Sequence, residues 1–120
     1  MPKEKDYQNL FNKYIRETKF YGFFELKKAR LNSFPVVLVE QHQIDSLLAL
    51  DSNGLVWKLS DADMRQKPCD SMSIPPLRSY VVVFFSDLFC FVDIHSFLAI
   101  KVKTVPKERL IAISTKVVYF

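Results

Sequence analysis

Residues 80–93 read Tyr80-Val81-Val82-Val83-Phe84-Phe85-Ser86-Asp87-Leu88-Phe89-Cys90-Phe91-Val92-Asp93, and two folds compete for them. Taken from Val81 to Ile100, the stretch is nearly continuous apolar sequence of membrane-spanning length, but it holds Asp87, Asp93 and His95. A central aspartate costs about 2.5–3.5 kcal/mol on insertion, and two such costs argue against a span. Strands covered on both faces read as short continuous apolar runs, so a break at Ser86-Asp87 accounts for the same residues. Tyr80–Phe85 and Leu88–Asp93 are therefore expected to be consecutive buried strands.

Working outward, Ile94–Ile100 is ambiguous, Pro106–Ala112 suits a short helix with Pro at its first position, and Ser114–Phe120 suits a last strand. Upstream, Phe20-Tyr21-Gly22-Phe23-Phe24-Glu25-Leu26-Lys27 is aromatic-rich and reads as a strand. Its period of two puts Phe23, Glu25 and Lys27 on one face and Phe24 and Leu26 on the other. After a basic turn over Lys28 to Ser33 and a short apolar run at Val36–Val39, His42–Leu50 carries Ile44, Leu47 and Leu48 on one side of a helix. Gln43 lies in its first turn and Asp51-Ser52-Asn53-Gly54 is its stop. Leu55–Leu59 suits a further short strand, and Ser60–Ser79, rich in Asp, Pro, Ser and Met, suits a surface loop. Near the N-terminus, Tyr7, Leu10, Phe11, Tyr14 and Ile15 follow the spacing of an amphipathic helix with Asp6 as its cap. The expectation is a single α/β domain over residues 1–120, a mixed central sheet flanked by helices, with an insertion at about 51–79.

A chain of 120 residues buries roughly 65% of its unfolded surface, so one core suffices without disulfides. The only glycines, Gly22 and Gly54, cannot supply the clustered glycines of a P-loop or a dinucleotide-binding turn. Cys69, Cys90, His42 and His95 form no C-x-x-C and no paired histidine spacing, which argues against structural zinc and for a reducing, cytoplasmic home. Met1-Pro2-Lys3-Glu4-Lys5 lacks the apolar region of a secretory signal. Seventeen basic against thirteen acidic residues leave a net charge of +4. The basic residues bunch at Lys3–Lys5, Lys13–Arg30 and Lys101–Arg109, whereas Glu40–Asp63 is acidic. A nucleic-acid face would use the basic ends; a solvated charged surface is the alternative.

Glu25-Leu26-Lys27 sets a carboxylate and an ammonium on one strand face. Magnesium needs hard oxygen ligands from one or two carboxylates plus substrate phosphate, and a neighbouring cation stabilises charge developing on phosphorus. The triplet also arises on any exposed strand that alternates Glu and Lys, so its neighbours carry the weight. Phe24-Glu25-Leu26-Lys27, then Ser33-Phe34-Pro35, then His42-Gln43-Ile44 resembles the RecU-type Holliday junction resolvases of the PD-(D/E)xK nuclease class. In that family an E-x-K strand precedes a basic loop, a Ser-Phe-Pro and a helix opening with His-Gln-Ile. Val81–Ser86 with Leu88–Asp93, and Lys103-Thr104-Val105-Pro106-Lys107, are similar to its paired core strands and next basic segment.

The resemblance implies a restriction-endonuclease-like fold and Mg²⁺-dependent cleavage of branched, four-way DNA in recombination and repair by a homodimer. Glu25 and an aspartate on a preceding strand would bind the metal, Lys27 would activate water, and Gln43 would buttress the site. Asp6-Tyr7-Gln8 is similar to that family's Asp-Tyr hairpin strand, which makes Asp6 the second metal ligand; if the segment is helical, Glu17 is the fallback. Lys28 and Arg30, leaving the catalytic strand, are the candidates for phosphate contacts. The family places a helix and a stalk ahead of the aspartate, and this chain begins five residues before Asp6. The resemblance is thus to a shortened member, with a catalytically inactive DNA-binding or vestigial protein as the alternative.

Of the remaining residues, His42 and His95 suit packing or solvent-facing roles and Cys90 a small core position. Trp57 suits either packing or base stacking.

Overall fold

The structure is a computed structural model, described here for residues 4–59 and 68–120. The chain order is α1 (Glu4–Thr18), β1 (Phe23–Lys28), β2 (Ser33–Pro35), a 3₁₀ turn (Val36–Leu38), α2 (Gln41–Asn53), β3 (Leu55–Lys58) and β4 (Ser71–Ile74). There follow β5 (Ser79–Phe84), β6 (Leu88–Asp93), α3 (Ile94–Leu98), β7 (Thr104–Pro106), α4 (Lys107–Ile113) and β8 (Lys116–Tyr119). Every residue of β5 and β6 is buried, and the two strands pair antiparallel with Tyr80 opposite Asp93 and Phe84 opposite Phe89. They form the middle of a four-stranded sheet ordered β1-β5-β6-β8, in which β1 runs parallel to β5 and β8 antiparallel to β6. The expected mixed sheet flanked by helices is therefore present. Among the described residues no helix is long and apolar enough to cross a membrane.

Alternation along the strands gives the sheet two chemically different faces. Val81, Val83, Cys90 and Val92 pack with Phe34, Leu47, Ile94, Phe97 and Leu110, an aliphatic layer closed by α2, α3 and α4. Tyr80, Val82, Phe84, Phe89 and Phe91 pack with Tyr7 and Phe11 of α1 and with half-buried Tyr14, Phe20 and Phe24. At the centre of this aromatic layer the Phe91 ring lies 5.1–6.0 Å, centroid to centroid, from those of Phe11, Tyr14, Phe20, Phe24, Tyr80 and Phe89. Lys116 closes its rim, with Nζ 5.5 Å from the Tyr14 ring centroid and 5.2 Å from that of Phe20.

Four expectations need correction. The segment around Asp6-Tyr7-Gln8 is helix and not a hairpin strand. A strand would turn Tyr14 away from Tyr7, Phe11 and Ile15, whereas the helical period sets all four on one stripe against the aromatic face. Because α1 begins at Glu4, Asp6 is an exposed first-turn residue, favourably placed in the helix dipole, and not the cap. Ser60–Ser79 is not a plain loop either. Ser71-Met72-Ser73-Ile74 alternates polar and apolar residues and pairs antiparallel with β3, with Trp57 opposite Met72; residues 60–67 of the expected insertion lie outside the described residues. Pro106 caps α4 from the end of β7 and does not occupy the first helical position.

The β3–β4 hairpin joins the body at a narrow neck. Gly54 ends α2 with φ +71°, a conformation that suits glycine, and a Cβ there would run into the Ile74 carbonyl oxygen and lie 2.7 Å from the Pro75 carbonyl carbon. Beside it, Asp51 Oδ2 accepts from the Ser79 backbone N–H at 3.0 Å, and the buried Ser79 hydroxyl donates to the Leu47 carbonyl at 2.7 Å. These bonds fix the end of α2 to the start of β5.

Phe91→Ala should lose about 3–5 kcal/mol in denaturant unfolding, since six rings would line the hole; a loss below about 1 kcal/mol would contradict the central role of this ring. Cys69 is exposed and Cys90 buried, both as free thiols. Burial pushes the Cys90 thiol above its ordinary 9.0. A thiol reagent at pH 8 should therefore label one cysteine per folded chain and two after unfolding. The sign for stability follows. Above pH 9.0 the unfolded thiol ionises while the buried one stays protonated, so folding stability should fall with rising pH from that point.

Candidate active site

The local sequence of β1 fixes the site's first two members. In Phe23-Phe24-Glu25-Leu26-Lys27-Lys28 the alternation sends Phe23 to the aliphatic layer and Phe24 and Leu26 to the aromatic one. Glu25 and Lys27 consequently share the face that α2 covers, with Lys27 Nζ 3.6 Å from Glu25 Oε1. Their side chains are 30% and 21% exposed, so solutes reach both, and neither bears the full desolvation cost of a buried charge.

The third member comes from the start of α2. Glu40 and Gln43 form a reciprocal capping box in which the Glu40 side chain accepts from the Gln43 backbone N–H. In return, Gln43 Oε1 accepts from the Glu40 N–H at 3.0 Å. With its carbonyl end committed to the cap, the Gln43 amide has one orientation left, and Nε2 donates to Glu25 Oε1 at 2.6 Å. Lys27 and Gln43 thus converge on one oxygen of Glu25. Oε2 keeps no hydrogen-bond partner among the described residues.

The other sequence candidates do not join this group. α1 lays Tyr7 and Phe11 on the aromatic face, opposite the face that holds Glu25 and Gln43, so Asp6 stands on a helix and not on a strand beside β1. Glu17 is on the same helix and makes an exposed pair with Lys13 at 4.0 Å. Lys28 follows the alternation away from Lys27, and its Nζ lies 5.8 Å from the Tyr7 ring centroid. Arg30 is exposed in a tight turn, where its backbone N–H and carbonyl pair with those of Ser33. Among the described residues no group of three or more His, Cys, Asp or Glu side chains could hold a metal ion. The expected Asp6–Glu25 pair is not assembled. Of Glu25, Lys27 and Gln43 only Glu25 offers a carboxylate, which by itself falls short of the oxygen ligands that Mg²⁺ requires.

Two features escaped the sequence reading. At the opposite end of the sheet Asp93 caps α3, accepting from the His95 N–H at 2.9 Å, and binds Arg78 at 3.1 Å, while His95 Nε2 lies 3.4 Å from Asp51. His42, exposed, pairs with Glu40 at 3.2 Å, in keeping with its expected solvent-facing role. The second feature is a cavity at the carboxyl end of β1 that includes Tyr7 and Gln8. The apolar stripe marked Tyr7 as core, and nothing local to it signalled a cavity.

No family model matches the chain, and no curated protein or solved structure matches it.

Gln43 is expected to show both of its bonds in variants. Gln43→Ala should cost about 1 kcal/mol in thermal or denaturant unfolding through loss of the cap. Gln43→Glu keeps an acceptor for the Glu40 N–H but sets two carboxylates together, so its penalty should be larger at pH 7 than at pH 4. A pH-independent penalty would mean that Gln43 does not meet Glu25.

Proposed function

We propose that the chain is a RecU-like domain of restriction-endonuclease-like architecture, a Mg²⁺-dependent endonuclease acting on branched DNA. The observation that carries this reading is the convergence of Glu25, Lys27 and Gln43 on one carboxylate oxygen, from an E-x-K strand and the helix that follows it. The order of elements supports it: the E-x-K strand, a crossing helix and then a parallel neighbour in the sheet form a βαβ unit with the site at its centre.

In this reading Glu25 Oε2, which no described group occupies, would be the chain's own ligand to Mg²⁺. Bound there, Mg²⁺ supplies Lewis-acid polarisation of the phosphate. Gln43 holds the carboxylate in one orientation by occupying Oε1. The Lys27 ammonium, 3.6 Å from Glu25 Oε1, would stabilise the charge that develops on the phosphate. Lys28, Arg30 and the exposed Lys101 and Lys103 add sequence-independent phosphate attraction. Four-way DNA presents symmetry-related strands, which suits a two-fold homodimer as the working unit, in the cytoplasm where free thiols persist.

A second reading, a catalytically silent DNA-binding protein of the same ancestry, is favoured by one observation: among the described residues no three potential metal-ligating side chains come together, and Asp6 lies on α1. Nicking of a labelled four-way junction with and without Mg²⁺, alongside a gel shift, separates the two. The endonuclease reading expects metal-dependent nicking that falls at least about a hundredfold in Glu25→Gln and in Lys27→Ala. Salt-sensitive binding without nicking supports the silent reading, and absence of both binding and nicking overturns the DNA assignment.

A further inference from the structure

The chain leaves β1 through a tight turn whose backbone is strained. The Arg30 N–H donates to the Ser33 carbonyl at 2.9 Å and the Ser33 N–H to the Arg30 carbonyl at 2.8 Å, with Leu31 and Asn32 between them. Leu31 has φ +26° and Asn32 does not share the positive sign. That is the sign pattern of a type II′ turn, whose first central position ordinarily belongs to glycine, and a residue with a Cβ is strained there. A third bond, from the Lys107 N–H to the Asn32 carbonyl at 2.8 Å, ties the turn to the start of α4, so its surroundings hold the conformation in place.

At 82%, Leu31 is also the most exposed large apolar side chain among the described residues. Single exposed apolar side chains are ordinary on protein surfaces. Leu31 differs because backbone strain falls on the same residue. The other described non-glycine residue with positive φ is Lys19, at +54°, and its N–H closes the end of α1 on the Ile15 carbonyl at 2.8 Å, a helix-end conformation that accounts for the sign. Leu31 has no such account. Glycine or asparagine would make the same turn with less strain and without apolar surface in water. Strain that the fold does not require points to a function for the residue that carries it. The neighbourhood is basic: Arg30 is exposed beside Leu31, and Lys28 ends the strand that leads there. The backbone from Glu25 to Leu31 can span at most about 22 Å, so the turn and Glu25 reach a single stretch of DNA.

We propose that Leu31 is a wedge, its side chain entering a base-pair step at the branch point of four-way DNA while the Arg30 guanidinium holds the adjoining phosphate. Leucine is among the apolar side chains that unstack a base step in this way, and unstacking costs least where pairing is already interrupted. The three backbone bonds of the turn give the wedge a rigid base, whereas a side chain on a loose loop would yield before the bases parted. The inference rests on the branched-DNA reading of the Glu25 site and deepens it, naming a residue that selects the shape of the substrate.

Equilibrium binding of the full chain to a four-way junction and to a linear duplex of equal length tests it, with 2-aminopurine at the branch-point bases reporting unstacking. The wild type should bind the junction more tightly than the duplex and raise the 2-aminopurine fluorescence. Leu31→Gly should weaken junction binding by about tenfold and abolish the fluorescence rise, while raising the thermal midpoint of the free protein by about 2–5 °C as the turn relaxes. A merely structural role would not give those opposite signs. The slope of log affinity against log salt should stay the same, because no charge is removed. Leu31→Met keeps an apolar side chain at the tip and should retain the fluorescence rise. Junction affinity and fluorescence in Leu31→Gly equal to those of the wild type overturn the inference, as does a lower thermal midpoint in that variant or a fluorescence rise lost as fully in Leu31→Met. Failure here is distinguishable from failure of the nuclease reading. Junction binding and nicking that survive Leu31→Gly remove the wedge alone, Leu31-dependent unstacking in a chain that never nicks removes the endonuclease reading alone, and a wild type that binds no junction removes both.

Discussion

Parallel pairing of β1 with β5 is the constraint on which the rest of the molecule depends. Antiparallel neighbours can be joined by a two-residue turn, but parallel ones require the chain to return to the same end of the sheet. Here the return is made by α2, which must lie across the face that Phe23, Glu25 and Lys27 share. The meeting of Gln43 with Glu25 is a direct product of that crossing. So is the crevice where the two strands end together at Lys28 and Phe84.

The two faces of the sheet divide the work. Branched aliphatic side chains under α2, α3 and α4 make a closely fitted layer in which a short capping contact such as Glu40–Gln43 determines a side-chain orientation. The aromatic layer under α1 holds its helix by broad ring contacts and leaves a rim that lysines cover, Lys28 at one side and Lys116 at the other. The edge strands β1 and β8 carry these same lysines, and charge on an edge discourages further strands from adding to it. Asp87 at the β5–β6 turn is tied to Lys107 at 2.8 Å, and that hydrogen bond holds its carboxyl below the usual range.

Burial and period were legible in the sequence because they are properties of single segments. The continuous apolar run at Tyr80–Asp93 foretold strands buried on both faces, and the alternation in Phe23–Lys27 foretold which residues would stand beside Glu25. The helix over His42–Leu50 was visible from Ile44, Leu47 and Leu48, and is longer by Gln41 and by Asp51–Asn53. Asp6 was misread as a strand residue where a resemblance outweighed a clear helical stripe through Tyr7, Phe11 and Tyr14; the local physics was the better guide. The β4 strand was missed because four residues, two of them serines, give too short a pattern without sight of the partner Leu55–Lys58. The cavity beside Tyr7 was invisible for a further reason: its walls come from four elements far apart in the chain.

The neck at Gly54 has an evolutionary consequence. Because the chain leaves α2 and returns towards β5 at adjoining backbone points, and because the Asp51–Ser79 bond closes the gap on the body's side, the β3–β4 hairpin is attached like a pendant. Its length and sequence are free to drift without changing the register of the sheet, while Gly54 itself is not. Among descendants of this chain, variation in size should concentrate in the hairpin, and a foreign segment such as an epitope or a small fluorescent reporter is best spliced there.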